Sequence, residues 1–261
     1  MSTLSYAQRP LPGWLRVVAP VAVGVIILAL WILAVDVLKV APRALPSPFA
    51  IIDQMALRYD IILEDMGITA TNALVGLIVG SLAAIVLAAL AATFRPIDGM
   101  LAPLVAAIAV VPIVAITPIL NTMFGASSQF GRQYVAAIAA FIPVFVNVLR
   151  GLRQTRPVHR DVLRASGASG LQSFRVLTLP TALPYLMTGL RIASSIAVIA
   201  ALVAEYFGGP ADGIGTAIAS YAKSGLAALA FAYVAGGIAI GLALFLVTSL
   251  LERLVSRRAP V

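Results

Sequence analysis

Residues 66–94 read MGITATNALVGLIVGSLAAIVLAALAATF and contain no charged side chain. A helix needs roughly 20 predominantly apolar residues to cross the hydrocarbon of a bilayer, and this stretch is longer than that. Five further stretches have the same character, and the only charge in them is Arg191: residues 17–35, 101–124, 133–149, 186–204 and 227–251. The pattern predicts an all-α integral membrane protein with about six transmembrane helices. Because residues 133–149 are the shortest stretch, five or seven helices remain alternatives.

The composition excludes an ordinary water-soluble domain. Hydrophobic residues make up 61% of the chain and charged residues only 11%, with a mean hydropathy of +1.04. A soluble domain carries about 25% charged residues. The absence of cysteine excludes a disulfide framework and a cysteine metal site. The first apolar stretch follows Arg9 and Arg16 without a small-residue cleavage site, so we expect a retained helix.

The net charge of +8 comes from basic residues whose distribution indicates the orientation of the chain in the membrane. With six helices and a cytoplasmic N-terminus, cytoplasmic segments hold most of the basic residues, as the positive-inside rule requires. The sequence therefore predicts that both termini are cytoplasmic and that no nucleic acid binds. The cytoplasmic set is Arg9, Arg16, Arg95, Arg150, Arg153, Arg156, Arg160, Arg164, Arg175, Arg253, Arg257 and Arg258, and the outer set is Lys39, Arg43, Arg58, Arg132 and Lys223.

Three local patterns predict helix boundaries and packing. Ser47 and Pro48 are typical of an N-cap and a first helical turn, followed by an apolar stripe that lies on the outer membrane surface or forms a solvated connector. Residues 95–98 form a short turn, and Pro112 and Pro118 kink the third span. Small residues at four-residue spacing favour close helix packing: Gly76, Gly80 and Ala84.

The longest predicted cytoplasmic segment, about residues 150–184, is too polar to lie in the membrane. Its pattern predicts a short helix over about residues 158–166, with Asp161 near its start and Arg164 one turn later. Gly167 and Gly170 can end that helix in left-handed geometry. Pro180 and Pro184 then prevent a continuous helix from returning into the membrane.

This segment resembles the cytoplasmic "EAA" loop of ATP-binding cassette importer permeases, which couples the permease to its ATPase. The resemblance rests on Gly167, Ala168, Ser169, Phe174, Leu179 and Pro180, at the spacing of the family. Asp161, Val162 and Leu163 replace the Glu-Ala-Ala of the family. The aspartate keeps the negative charge of the glutamate, but its side chain is shorter. Arg164 belongs to the same segment.

Three stretches are similar to the permeases that import nitrate, sulfonates, taurine and pyrimidine-type vitamin precursors. They are residues 45–48 (Leu-Pro-Ser-Pro), residues 204–209 (Ala-Glu-Tyr-Phe-Gly-Gly) and residues 213–215 (Gly-Ile-Gly). The resemblance implies a type I importer fold, in which residues 1–261 form one transmembrane domain of a bacterial inner-membrane protein. It implies ATPase subunits that carry ATP and Mg²⁺, an extracytoplasmic solute-binding protein, and a second permease chain, most simply a homodimer.

No catalytic site is predicted. A phosphate-binding loop needs Gly, four residues and Gly-Lys-Ser/Thr, and the nearest stretch, residues 217–224, has alanine at both glycine positions. The single histidine, His159, and the few carboxylates offer no acid–base pair. We therefore expect no enzyme activity, metal or cofactor in this chain.

Polar residues within the predicted spans, together with Glu205 at the outer end of the fifth span, are candidates for the translocation path, because polar groups are costly in a membrane. The alternative for Arg191 is snorkelling to lipid headgroups or pairing with a neighbour. The alternative for the amides is bonding between helices. The candidates are Arg191, Ser195, Asn121, Asn147 and Glu205.

A self-sufficient secondary transporter is the competing function. Such proteins usually show paired repeats and ion-coupling carboxylates in the membrane. The sequence has no carboxylate in the middle of a predicted span and no evident inverted repeat, so it favours the importer.

Overall fold

A computed structural model describes residues 14–125 and 127–256, and this part of the chain is helical without any strand. Arg9, Arg257 and Arg258 of the charge pattern lie outside the described residues. The helices are α1 (Leu15–Asp36), α2 (Pro48–Leu57), α3 (Tyr59–Thr93), α4 (Arg95–Val110), α5 (Ile113–Phe124), α6 (Phe130–Arg153), α7 (Pro157–Ala165), α8 (Gly170–Ser173), a π-helical segment (Phe174–Thr178), α9 (Leu179–Tyr206), α10 (Ile214–Lys223) and α11 (Ala227–Ser256).

Five of these helical stretches are long and apolar enough to cross a membrane: α1, α3, α6, the stretch from α8 through α9, and α11. Helices α4 and α5 form one apolar pair that is bent by 97° and counts as a sixth span. Asp98 at the start of α4 pairs with Arg153 at the end of α6, whereas Phe124 at the end of α5 stacks on Tyr134 near the start of α6. The pair therefore follows α6 from one end to the other as one broken span, which agrees with about six spans.

The third span is interrupted more strongly than the predicted kink, because Val111 and Pro112 belong to neither α4 nor α5. The predicted turn at residues 95–98 is wrong. Residues 95–98 form the first turn of α4, where Pro96 needs no hydrogen-bond partner for its nitrogen. Phe94 alone separates α3 from α4.

Helices α3, α6 and α9 form the centre of the bundle and touch through small residues. Gly76 and Gly80 of α3 lie against Ala136 and Ala137 of α6, and a Cβ atom on Gly80 would collide with the carbonyl oxygen of Ala137. The predicted close packing at these positions is confirmed. Ala84 is likewise fully buried in the core.

The N-terminal helices border this centre. Helix α1 is largely exposed and contacts the bundle through Trp31, whose indole N–H donates to the carbonyl of Pro46 at 3.0 Å. Ser47 caps α2 by accepting a hydrogen bond from the amide of Ala50 at 3.1 Å, and Pro48 is the first residue of the helix, as predicted. Ile51 is buried where α2 packs on the bundle.

Candidate functional site

Residues 150–184, predicted from the family resemblance to couple the permease to an ATPase and called the coupling segment below, present α7 as an exposed helix. No residue of α7 is buried, and the apolar side chains of Val158 and Val162, one turn apart, are exposed. The helix begins at Pro157, so the prediction that Asp161 lies near its start is wrong: Asp161 lies in the second turn because proline takes the first position. Its carboxylate is 3.8 Å from Arg164, and both side chains are exposed.

Gly167 ends α7 in left-handed geometry, with φ of +74°. The amide of Ala168 donates to the carbonyl of Leu163 at 3.0 Å, which closes the last turn. This prediction is confirmed, but the same role for Gly170 is wrong. Gly170 begins α8, because Ser169 and Gln172 form a capping box that starts a new helix there.

The chain then returns to the membrane as a continuous helix, which corrects the predicted stop at Pro180 and Pro184. Helix α8, the π-helical segment and α9 follow each other without a loop. Pro180 lies in the first turn of α9, after a π-helical segment whose hydrogen bonds span five residues, and Pro184 lies half-buried within the same helix. One continuous helical stretch therefore leads from the coupling segment to the other end of α9 at Tyr206.

The other members of the segment lie beside α3 and α6. Phe174 borders a small cavity with Arg160 and Leu152, while Leu179 is exposed and Pro180 half-buried. Arg153 lies 2.7 Å from Asp98 and therefore ties the end of α6 to α4.

At the other end of α9, Glu205 is buried in a polar network. Its carboxylate accepts hydrogen bonds from the hydroxyl of Thr69 at 2.8 Å, the amide group of Asn72 at 3.2 Å and the backbone amide of Gly215 at 2.9 Å. Glu205 therefore ties α3 and α10 to α9. These bonds meet the requirement that a buried carboxylate be hydrogen-bonded.

Arg132 is the second buried charge of this network and was not predicted as a site residue. Its guanidinium lies 2.7 Å from Asp212 and donates to Thr216 at 3.0 Å and to the carbonyl of Pro210. Two features of the sequence could have indicated this site: an arginine beside an apolar stretch, and a glycine-rich loop that allows a close approach to it. A Cβ atom on Gly209 would lie 2.9 Å from the Arg132 side chain.

Positive φ angles at Gly208, Gly209 and Gly213 fold the loop after α9 around these two charges. At Gly213, a Cβ atom would lie 2.7 Å from the carboxyl carbon of Glu205. Gly209 and Gly213 are thus explained by the space that the Arg132 and Glu205 side chains occupy.

Arg191 lies near the middle of α9, 2.6 Å from the carboxylate of Glu252 in α11. The hydroxyl of Thr188 donates to the same carboxylate at 2.6 Å, and the guanidinium carbon of Arg191 is 5.8 Å from the centre of the Phe245 ring. This geometry corresponds to the alternative in which Arg191 pairs with a neighbour.

The five predicted path residues do not share one cavity. Asn121 donates to the carbonyl of Ala204 near the buried network around Glu205, and Asn147 donates to Pro143 within its own helix. Ser195 borders a groove between α9 and α11. Their role in translocation remains a prediction.

Known proteins resemble this chain over most of its length. A probable ABC transporter permease protein of Haemophilus influenzae is 27% identical over 201 residues, which cover 77% of this chain and 81% of that protein. The formylaminopyrimidine transport permease protein of Halalkalibacterium halodurans is 31% identical, with coverage of 64% and 67%. The putative aliphatic sulfonates transport permease protein of Escherichia coli is 27% identical, with coverage of 75% of each chain.

Residues 54–260 match the family described as binding-protein-dependent transport system inner membrane component. The match includes the coupling segment and both buried charges of the polar network, Glu205 and Arg132. This multi-pass membrane protein belongs to the family of binding-protein-dependent transport system inner membrane components, which are transport permeases.

Proposed function

We propose that this permease works in an ATP-binding cassette importer whose partner subunits bind ATP and Mg²⁺ and hydrolyse the nucleotide. The observation that carries the proposal is the free helix α7 within the family match. Val158 and Val162 form an exposed apolar pair on one face of a basic helix. Because contact of apolar side chains with water is unfavourable, this face suits a groove on a protein partner. An ATPase subunit is the partner that the family resemblance implies.

The route from such a partner into the membrane is short. Gly167 ends α7, Ser169 begins the next helix, and α8, the π-helical segment and α9 then run as one rod to Glu205. A displacement of α7 would therefore act on the whole length of α9. This supports coupling through residues Asp161–Ser169.

We infer that two copies of this chain form the transporter, with a bacterial inner-membrane location, cytoplasmic termini and a solute-binding protein on the outer side. One chain supplies one α7, whereas a pair of ATPase subunits needs two, and closed two-fold symmetry is the simplest arrangement. The basic residues near α6 and α7 support this orientation through the positive-inside rule. Disulfide crosslinking of introduced cysteines would identify the chain opposite.

The solute is a small organic or inorganic compound of the kind that the relatives carry. Their names give aliphatic sulfonates, formylaminopyrimidine, riboflavin and bicarbonate. The resemblance of residues 204–215 to the sulfonate and pyrimidine-precursor permeases supports a member of these classes.

The test is copurification of the ATPase encoded beside this permease. Val162→Asp should reduce the retained ATPase about tenfold or more, because a desolvated charge without a partner costs more than 1.4 kcal/mol at an interface. Leu38→Asp is the matched control, since Leu38 is exposed on the predicted outer side. Equal retention of ATPase in both variants would show that α7 is not the helix that binds it, and uptake without any ATPase would favour the secondary transporter.

A further inference from the structure

A polar cavity of about 660 Å³ lies between the end of α1, helix α2 and the start of α11. Three charged side chains border it: Asp36 at the end of α1, Arg43 in the loop that follows, and Arg58 directly after α2. None of the three belongs to the coupling segment, to the buried network around Glu205 or to the predicted path. The function proposed above therefore leaves this cavity unexplained.

The cavity lies at the level where two membrane spans end. Helix α1 is long and apolar enough to cross a membrane and ends at Asp36, and α11 is another such helix and begins at Ala227. Both Asp36 and Ala227 border the cavity. Because lipid headgroups surround the ends of spans, the cavity lies at headgroup level. The positive-inside rule predicts that this is the outer surface.

The loop that carries Arg43 is fixed to the first span. The indole N–H of Trp31 in α1 donates to the carbonyl of Pro46 at 3.0 Å. Between them, the amide of Ala44 donates to the carbonyl of Ala41 at 2.8 Å and closes a turn. The position of Arg43 is therefore set by backbone contacts on both sides of it.

Arg43 lies beside the N-terminus of α11. A Cβ atom on Gly225, two residues before that helix, would lie 3.7 Å from the Nε atom of Arg43. The first amides of a helix have no acceptor within it, and Leu226, which precedes α11, has no side-chain oxygen to accept from them. A guanidinium and the positive end of a 30-residue helix thus border one cavity. Both favour a negatively charged occupant.

The charges in the cavity wall have no ionic partner in the described part of the chain. Four ion pairs occur there, and none of them includes Asp36, Arg43 or Arg58. Arginine forks match the oxygens of a phosphate group, and a carboxylate pairs with an ammonium group. Two cations and one anion in the wall therefore complement a ligand that carries one phosphate and one ammonium group.

We propose that this cavity binds the headgroup of an aminophospholipid, with phosphatidylethanolamine as the test compound. Arg43 and Arg58 bind the phosphate, Asp36 binds the ammonium group, and the acyl chains follow α1, whose apolar surface is largely exposed. A free phosphate ion would leave Asp36 unpaired, which favours the lipid as the occupant. The bound lipid joins α1 to α2 and α11. The proposal does not depend on the importer function.

The test measures lipid binding to the purified permease together with any subunits that copurify. After removal of endogenous lipid in detergent, native mass spectrometry counts phosphatidylethanolamine molecules per chain during a titration. Because bonds to a charged phosphate are strong, Arg43→Ala and Arg58→Ala should each weaken the tightest site about tenfold or more. Lys223→Ala is the matched control, since Lys223 is an exposed cation on the same predicted side and does not border the cavity. Equal affinity in all three variants would overturn the proposal.

Asp36→Asn tests the contact with the ammonium group. It should weaken phosphatidylethanolamine about tenfold and bring its affinity to that of phosphatidylglycerol, which has the phosphate but no ammonium group. Asp53→Asn is the control, because Asp53 is an exposed residue of α2 outside the cavity, and it should keep the preference. A wild-type protein that binds both lipids equally would contradict the assignment of the headgroup.

Two further outcomes would assign the cavity to another occupant and would also overturn the proposal. Displacement of the lipid by inorganic phosphate would identify a site for free anions. Gln54→Cys places a thiol in the cavity wall of a chain that has no cysteine of its own, and disulfide crosslinking between two copies would show that a second chain covers the cavity. Failure of the importer function would appear instead as loss of ATPase copurification, which none of these variants should affect.

Discussion

The buried guanidinium of Arg132 lies 2.7 Å from the carboxylate of Asp212, 80 residues further along the chain. Arg132 is fully buried, whereas the Asp212 side chain is 37% exposed. Arg132 also donates to three carbonyl groups of the same loop, those of Gly208, Pro210 and Asp212. One arginine therefore fixes the loop between α9 and α10.

Arg132→Ala should destabilise the protein. Breaking a buried pair costs about 3–5 kcal/mol, and the partial exposure of Asp212 favours the lower value. A loss of about 3 kcal/mol lowers the melting temperature by roughly 6–12 °C in a chain of this size. Thermal unfolding in detergent measures the shift, with exposed Arg95→Ala as the control. An equal melting temperature in the two variants would contradict a structural role for Arg132.

Gly213→Ala and Gly125→Ala separate backbone strain from steric overlap. Both glycines have positive φ, but a Cβ atom meets Glu205 at Gly213 and nothing within 4 Å at Gly125. Strain alone should cost about 1–2 kcal/mol at each position. Overpacking should add about 1–3 kcal/mol at Gly213 only. If thermal unfolding shows the same loss for both variants, the loop does not pack on Glu205 as described.

Gly167→Val should uncouple transport from ATP hydrolysis. Valine in left-handed geometry costs about 1–2 kcal/mol or more, so the end of α7 should change its path. Gly170→Val is the matched control, because Gly170 has an ordinary φ and open space around it. Solute-binding-protein-stimulated ATPase activity should fall in Gly167→Val and persist in Gly170→Val, with similar expression of both. Normal stimulation in Gly167→Val would show that α7 is not the coupling element.

Arg191 and Glu252 should behave as a structural pair. Arg191→Ala should cost about 1–3 kcal/mol, because it leaves the Glu252 carboxylate without its charged partner. Exchange of the two charges, in the double variant Arg191→Glu with Glu252→Arg, should restore part of the thermal stability and the uptake. Restored stability without restored uptake would indicate that the arginine itself contacts the solute.

Local sequence patterns correctly predicted several boundaries. Ser47 and Pro48 begin α2, and Gly167 ends α7, because capping depends on residues within one helical turn. Local patterns also produced the errors at Gly170 and Pro184. Glycine can end or begin a helix, and proline can stop a helix or lie within it, so the neighbouring elements decide which occurs.

The sequence by itself determined the membrane class, the number of spans to within one, the short helix that Gly167 ends and the family resemblance, because apolar length and turn residues act over short distances. Only the tertiary structure decided the 97° break, the cavity between α1, α2 and α11, and the partners of Arg132, Glu205 and Arg191. Glu205 bonds to Thr69 across 136 positions of sequence. Such contacts depend on which helices pack together, and neither hydropathy nor periodicity in one segment contains that information.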